Sequence, residues 1–251
     1  MTSEEKYKYV LRIADSNLIY GQRLAEWCGH GPVLEEDIAL ANTSLDYMGQ
    51  ATLLFQYAAK CEGKGRDEDQ IAFLRDATEY GNLLMLELPN GDYAFTIGRQ
   101  FLFANFYWLF LEKLENSNDE FLAAFAAKAK KEVKYHVQHA ADWILRMGDG
   151  TEESHQRIQK AIDELWEYTP EFFQVDALDN EALSNGVGVD LAALHTSWYK
   201  LVSETLTEAT LKIPADGWGH NGGRQGRHTE YLGYVLADMQ YLQRTYPGAK
   251  W

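Results

Sequence analysis

At 251 residues, with 46% hydrophobic and 24% charged residues, the chain has the make-up of a globular protein with a sizeable core. Its formal net charge of −15 repels polyanions, which argues against nucleic acid and anionic membrane surfaces as partners. Cys28 and Cys61 form neither a CxxC pair nor a zinc spacing, and no basic-then-apolar leader opens the sequence. Two free thiols in a reducing cytoplasm are therefore expected.

Helical periodicity runs throughout. The first predicted helix, 5–28, places Val10, Ala14, Leu18 and Trp27 on one side and stops at Gly29-His30-Gly31-Pro32, a glycine cap followed by proline. Over 34–60, Leu34, Ile38, Ala41, Leu45, Met48, Thr52, Phe55 and Ala59 step by fours and threes, which predicts a bundle seam. A charged break, Glu62 to Asp69, leads to a shorter helix over 70–86. Pro89-Asn90-Gly91-Asp92 marks a turn. The next helix, 93–116, is apolar nearly all round and should be central; Arg99, Gln100 and Asn105 argue against its spanning a membrane. Residues 119–147 repeat the seam at Leu122, Ala126, Ala129, Val133, His136, Ala140 and Met147. Helices follow at 152–174, kinked or split by Pro170, at 189–212 and at 228–246, with loops over 177–188 and 213–227. No strand alternation is visible. One domain over 1–251 is expected: an all-α, ferritin-like antiparallel helical bundle with additional C-terminal helices.

Bundles of this kind often hold two iron ions. The site takes a glutamate from each of two helices and a Glu-x-x-His from each of the other two, because residues three apart share one helix face. The nearest candidates here are Asp46-Tyr47-Met48-Gly49 and Glu132-Val133-Lys134-Tyr135, with glycine and tyrosine where histidines should stand. The central helix has no acid between Asp92 and Glu112, and the first offers Asp15 and Glu26. The expectation is that the chain itself binds no metal. Glu132, His136 and His139 fall within about 60° on one helix face and form a vestigial metal candidate, or simply a buried carboxylate paired with histidine.

The loop 217–229 is glycine-rich and locally basic in an acidic protein, and it leads into a helix. Exposed backbone N–H groups and arginines attract phosphate, so Arg224, Arg227 and His228 are candidate anion contacts, with Thr229 as a helix cap. No Gly-Lys-Ser/Thr ending is present, which argues against a nucleotide-hydrolysing loop.

Several blocks carry a family resemblance over essentially the whole chain. They are Gln22 through His30, Asp37 through Asn42, Pro89-Asn90-Gly91, Lys131-Glu132 with Tyr135-His136, Gly222-Gly223 with Gly226, His228-Thr229-Glu230 with Leu232-Gly233, Met239 through Arg244, and Trp251. The sequence resembles the structural, non-catalytic C subunits of bacterial phenylacetyl-CoA epoxidase, the multicomponent monooxygenase of phenylacetate degradation. The resemblance implies a ferritin-like subunit without an iron site. It would pair with a homologous catalytic subunit holding the di-iron centre, alongside a small bridging subunit and a reductase using NADPH, FAD and an iron–sulfur cluster. It also implies that the loop cations Arg224, Arg227 and His228 could meet the phosphates of phenylacetyl-CoA at the complex. The alternatives are a stand-alone di-metal carboxylate oxidase and an acyl-CoA binding module.

Overall fold

The structure is a computed structural model that describes residues 1–215 and 217–249; Asp216, Lys250 and the Trp251 of the matching blocks lie outside the described residues. Among the described residues every regular element is helical: α1 Ser3–Ala25, α2 Leu34–Glu62, α3 Glu68–Phe73, α4 Tyr93–Leu114, α5 Glu120–Gly148, α6 Glu152–Trp166, α7 Ala177–Ser184, α8 Leu191–Glu208 and α9 Glu230–Thr245. The chain divides into two compact units, Met1–Pro89 with Asn221–Trp251, and Asn90–His220.

Local chemistry sets the ends of these helices. Thr2 and Glu5 form a reciprocal capping box at α1. Asp92, Asp119, Thr151, Asp190 and Thr229 each accept a backbone N–H of the first turn of their helices, and Gly63 closes α2 in the left-handed conformation. In the first unit α1 and α2 form a helical hairpin, with α3 and α9 packed beside it. In the second unit α4 and α5 form the main hairpin, and α6 and α8 pack on α4. As its composition implies, α4 is buried nearly all round, with only Tyr93, Phe95, Trp108, Glu112 and Lys113 reaching solvent.

The structure corrects the sequence reading in three places. The helix expected over 70–86 is only α3 followed by two short 3-10 turns, Ala77–Glu79 and Leu84–Glu87. Side chains of α1 satisfy the backbone there: Asp15 accepts from Gly81 N–H at 2.9 Å, Ser16 Oγ accepts from Leu83 N–H at 3.3 Å, and Arg23 donates to the Glu87 carbonyl. Long-range hydrogen bonds replace the helical ladder. The loop expected at 177–188 contains α7, which starts from a capping box between Asp176 and Asp179. The split expected at Pro170 is present: α6 ends at Trp166 and a 3-10 turn covers Thr169–Phe173.

The third correction concerns α2. It buries Leu40, Thr43, Ser44, Tyr47, Gln50, Ala51, Leu54, Phe55 and Ala58, a face about a third of a turn from the predicted seam. Leu34, Ile38 and Leu45 of that seam are exposed. By contrast, every predicted seam position of α5 is buried.

Candidate functional site

The interior faces can be tested for the donors a di-iron centre needs. Gly49 and Tyr135 do not stand on them. Gly49 is exposed on the outer side of α2, and Tyr135 is 60% exposed on α5. The register is therefore different from the one read in the sequence, but the donor set is no richer. The buried polar side chains are Thr43, Ser44 and Gln50 on α2, Thr96, Arg99, Gln100 and Asn105 on α4, and His136 on α5. No carboxylate is buried in the middle of any of these three helices, and Glu62, at the last position of α2, is taken by Arg66. His136 is fully buried, whereas Glu132 is only half-buried and its carboxylate lies 4.0 Å from Lys128. His139 stacks on the exposed ring of Tyr135. Among the described residues no group of three or more His, Cys, Asp and Glu is placed to hold a metal ion. The residues present do not fit a di-iron centre, which requires hard oxygen ligands to offset the metal charge.

The acid of α1 is committed elsewhere. Asp15 is fully buried and forms a two-pronged ion pair with Arg75, whose guanidinium also donates to the carbonyls of Ile71 (2.7 Å) and Glu79 (2.9 Å). The guanidinium lies over the Tyr80 ring, 4.2 Å from its centroid. Tyr80 donates its hydroxyl to the Ala72 carbonyl and accepts from Gln240 of α9 at 3.0 Å. Burial pushes the Tyr80 hydroxyl well above its ordinary pKa, although Arg75 opposes the shift. Gly81 N–H and Arg75 engage both oxygens, so the charge of Asp15 is already balanced by the guanidinium.

A second buried cluster in the first unit fastens the glycine-rich loop. Glu87 is fully buried. Its carboxylate accepts from Thr229 N–H at 2.6 Å, from Asn82 at 2.9 Å and from His228 Nδ1 at 2.9 Å. The other ring nitrogen of His228 faces the Tyr80 carbonyl at 2.9 Å. A carboxylate and a carbonyl facing the two ring nitrogens favour the imidazolium form of His228, which can donate to both. Burial lowers its pKa, but the hydrogen bond and charge of Glu87 and the Tyr80 carbonyl outweigh it, and the net shift is upward. Gly226 completes the attachment: its φ of 75° suits glycine, and a Cβ there would collide with the Thr78 carbonyl.

The three cations read from the loop therefore occupy different settings. The His228 side chain is 5% exposed and bound to Glu87. Arg224 is half-buried, and Arg227 is exposed with its guanidinium resting against Gly222. The earlier part of the loop belongs to the second unit, where the His220 ring stacks on Tyr168 at 4.1 Å, the His220 backbone N–H donates to the Glu167 carbonyl at 2.8 Å, and Trp218 meets the ring edge-on. Sequence reasoning missed Asp15–Arg75 and Glu87–His228 as pairs. Their members are 60 and 141 residues apart, and nothing local signals the match.

No nucleophile, general base and oxyanion donor converge in either cluster, since every acid and base in them is already hydrogen-bonded to a structural partner. Both clusters fasten irregular backbone to neighbouring elements of the first unit. The phenylacetic acid catabolic protein family matches residues 1–251. The chain belongs to that family. Its fold is all-α and ferritin-like. A relative from Escherichia coli (strain K12), the C subunit of 1,2-phenylacetyl-CoA epoxidase, is 45% identical over 243 residues, covering 97% of this chain and 98% of its own length. Among the described residues no helix is long and apolar enough to cross a membrane.

Proposed function

We propose that this chain is the non-catalytic structural subunit of a phenylacetyl-CoA 1,2-epoxidase acting in aerobic phenylacetate catabolism in the cytoplasm. The observation that carries this reading is the lack, among the described residues, of a buried carboxylate in the middle of α2, α4 and α5, combined with the commitment of Asp15 to Arg75, in a chain related end to end to the C subunit of such an epoxidase. A homologous subunit supplies the di-iron centre, a small bridging subunit joins the assembly, and a reductase delivers electrons from NADPH through FAD and an iron–sulfur cluster. This chain contributes a rigid partner to the catalytic subunit and binds no cofactor.

Arg224 and Arg227 are the residues through which it would touch the CoA phosphates, with His228 as the positioning residue that holds the loop from beneath. Two arginine–phosphate contacts support such a role. Replacing both arginines with alanine should raise the KM for phenylacetyl-CoA of the assembled enzyme severalfold while leaving assembly intact. Unchanged KM and turnover would remove this chain from substrate binding.

The subunit reading is tested by reconstitution. The purified chain should show no epoxidase activity, and omitting it from a mixture of the other components should abolish turnover. Full activity without it would overturn the reading, and activity of the chain alone would favour a di-metal oxidase. Thermal stabilisation by CoA with no partner present would instead favour an acyl-CoA binding module.

A further inference from the structure

The second unit carries an open pocket of about 480 Å³, a size that suits a small molecule. Its walls are largely aromatic: Trp166, Phe173, His195, Trp198 and Trp218 line it, with Glu167 among them. Trp166 and Trp198 are buried, with centroids 5.5 Å apart and planes inclined at 39°. Phe173 lies 5.3 Å from Trp198 at 59°, and His195 stands nearly perpendicular to Phe173 at 4.9 Å. Rings set at such different angles enclose a hollow rather than a flat slot, which suits a rounded ligand better than a planar one.

Trp218 forms part of the wall because its neighbours fix the loop there. Gly219 packs so closely on Pro170 that an added Cβ would come within 2.6 Å of the proline ring. His220 donates its backbone N–H to the Glu167 carbonyl at 2.8 Å and stacks its ring on Tyr168. Trp218 itself remains 73% exposed. An indole left so largely in water contributes little burial energy to the fold, and its place at an aromatic pocket is accounted for by a ligand that it would cover.

Charge selects the ligand. Among the described residues that line the pocket there is no lysine or arginine, and the one carboxylate is that of Glu167. Its side chain is 59% exposed, and its Oε2 lies 3.7 Å from His220 Nε2, too far for a hydrogen bond. Glu167 and the net charge of −15 would repel a carboxylate or a phosphate. Aromatic faces attract cations, and most effectively those that shed water readily, as quaternary ammonium ions do and the strongly hydrated ammonium of lysine does not. We propose that this pocket binds a small quaternary ammonium ion, with Trp218 and the inner rings around its alkyl groups and Glu167 balancing its charge. The site lies within one unit and shares no residue with the two buried ion pairs, so it does not rest on the subunit reading.

Calorimetric titration of the full chain with choline chloride, at constant ionic strength, tests the proposal. Choline should bind saturably, and its uncharged analogue with carbon in place of nitrogen should bind about tenfold more weakly. Trp218→Ala and Glu167→Gln should each raise the Kd for choline severalfold while keeping the melting temperature of the parent, since both side chains face solvent. N-acetyl-lysine methylamide and phenylacetate should bind more weakly than choline. No saturable binding up to about 20 mM choline, or binding that both variants leave unchanged, would overturn the proposal. Phenylacetate binding more tightly than choline, and lost in Trp218→Ala, would overturn the choice of a cation. Tighter binding of the lysine amide would overturn the choice of a quaternary ion and make the pocket a receptor for a protein side chain.

Discussion

The two units of this chain hold their helices together by opposite means. In Asn90–His220 the interior is aromatic. Phe103, Phe106, Phe172, Phe173 and Trp198 form a chain of stacked and edge-on rings with centroid spacings between 4.8 and 6.4 Å, and the Trp198 indole N–H anchors them by donating to the Leu102 carbonyl at 3.0 Å. In the other unit the non-helical segment 76–88 is held against α1 and α9 by buried charges, Arg75 on Asp15 and His228 on Glu87. The difference teaches where irregular backbone can be buried. Aromatic packing suits helices that satisfy their own hydrogen bonds, whereas an irregular segment needs side-chain donors and acceptors brought to it.

The largest expected effects separate the two modes. Arg75→Ala strands Asp15 in the interior and should cost about 3–5 kcal/mol, read from chemical denaturation. Phe172→Ala should cost a similar amount, about 3–5 kcal/mol, by leaving a cavity among the rings. The double variant Asp15→Leu, Arg75→Met distinguishes them: it should recover much of the loss in the polar unit, because two matched apolar side chains leave no stranded charge. Failure to recover would mean that the pair is needed for its hydrogen bonds to Gly81, Ile71 and Glu79 rather than for mutual neutralisation.

The Glu87–His228 pair should matter next. Glu87→Gln removes the charge that three donors share and should cost about 1.5–3 kcal/mol. The same pair makes stability depend on pH. The folded pKa of His228 lies above its ordinary 6.5, so its contribution is full below about pH 6.5 and is lost as pH climbs through the raised folded value. Unfolding free energy measured from pH 6 upward should fall over that window, and His228→Gln should flatten the decline. A variant with the parent's slope would assign the pH dependence to another group. Smallest in the series, Trp198→Phe should cost about 1–3 kcal/mol by leaving the Leu102 carbonyl without its indole donor.

Thr229 was legible as a helix cap, and the turn ending at Asp92 as the start of α4, because both signals lie within a few residues of the helices they open. The α5 seam was legible because one face is apolar and the other charged. On α2 both faces are apolar, so periodicity alone could not choose between the side carrying Leu40, Tyr47 and Leu54 and the side carrying Leu34, Ile38 and Leu45. That ambiguity placed Gly49 at an imagined ligand position, and the three-residue spacing from Glu132 placed the exposed Tyr135 at another, when the informative absence was of carboxylates on the faces that are buried. The segment 70–86 was misread because the groups that undo its helix sit on α1, and His228 was read as a phosphate contact because its partner Glu87 is remote in sequence.

Metal content tests the central claim most directly. Iron analysis of the isolated chain, expressed with iron in excess and assayed for oxygen uptake with a chemical reductant, should give far less than one iron per chain and no oxygen consumption above the buffer. In the assembled enzyme the iron should follow the homologous subunit. Roughly two irons per chain, the complement of an intact ferritin-like site, together with oxygen consumption by this chain alone, would contradict the account.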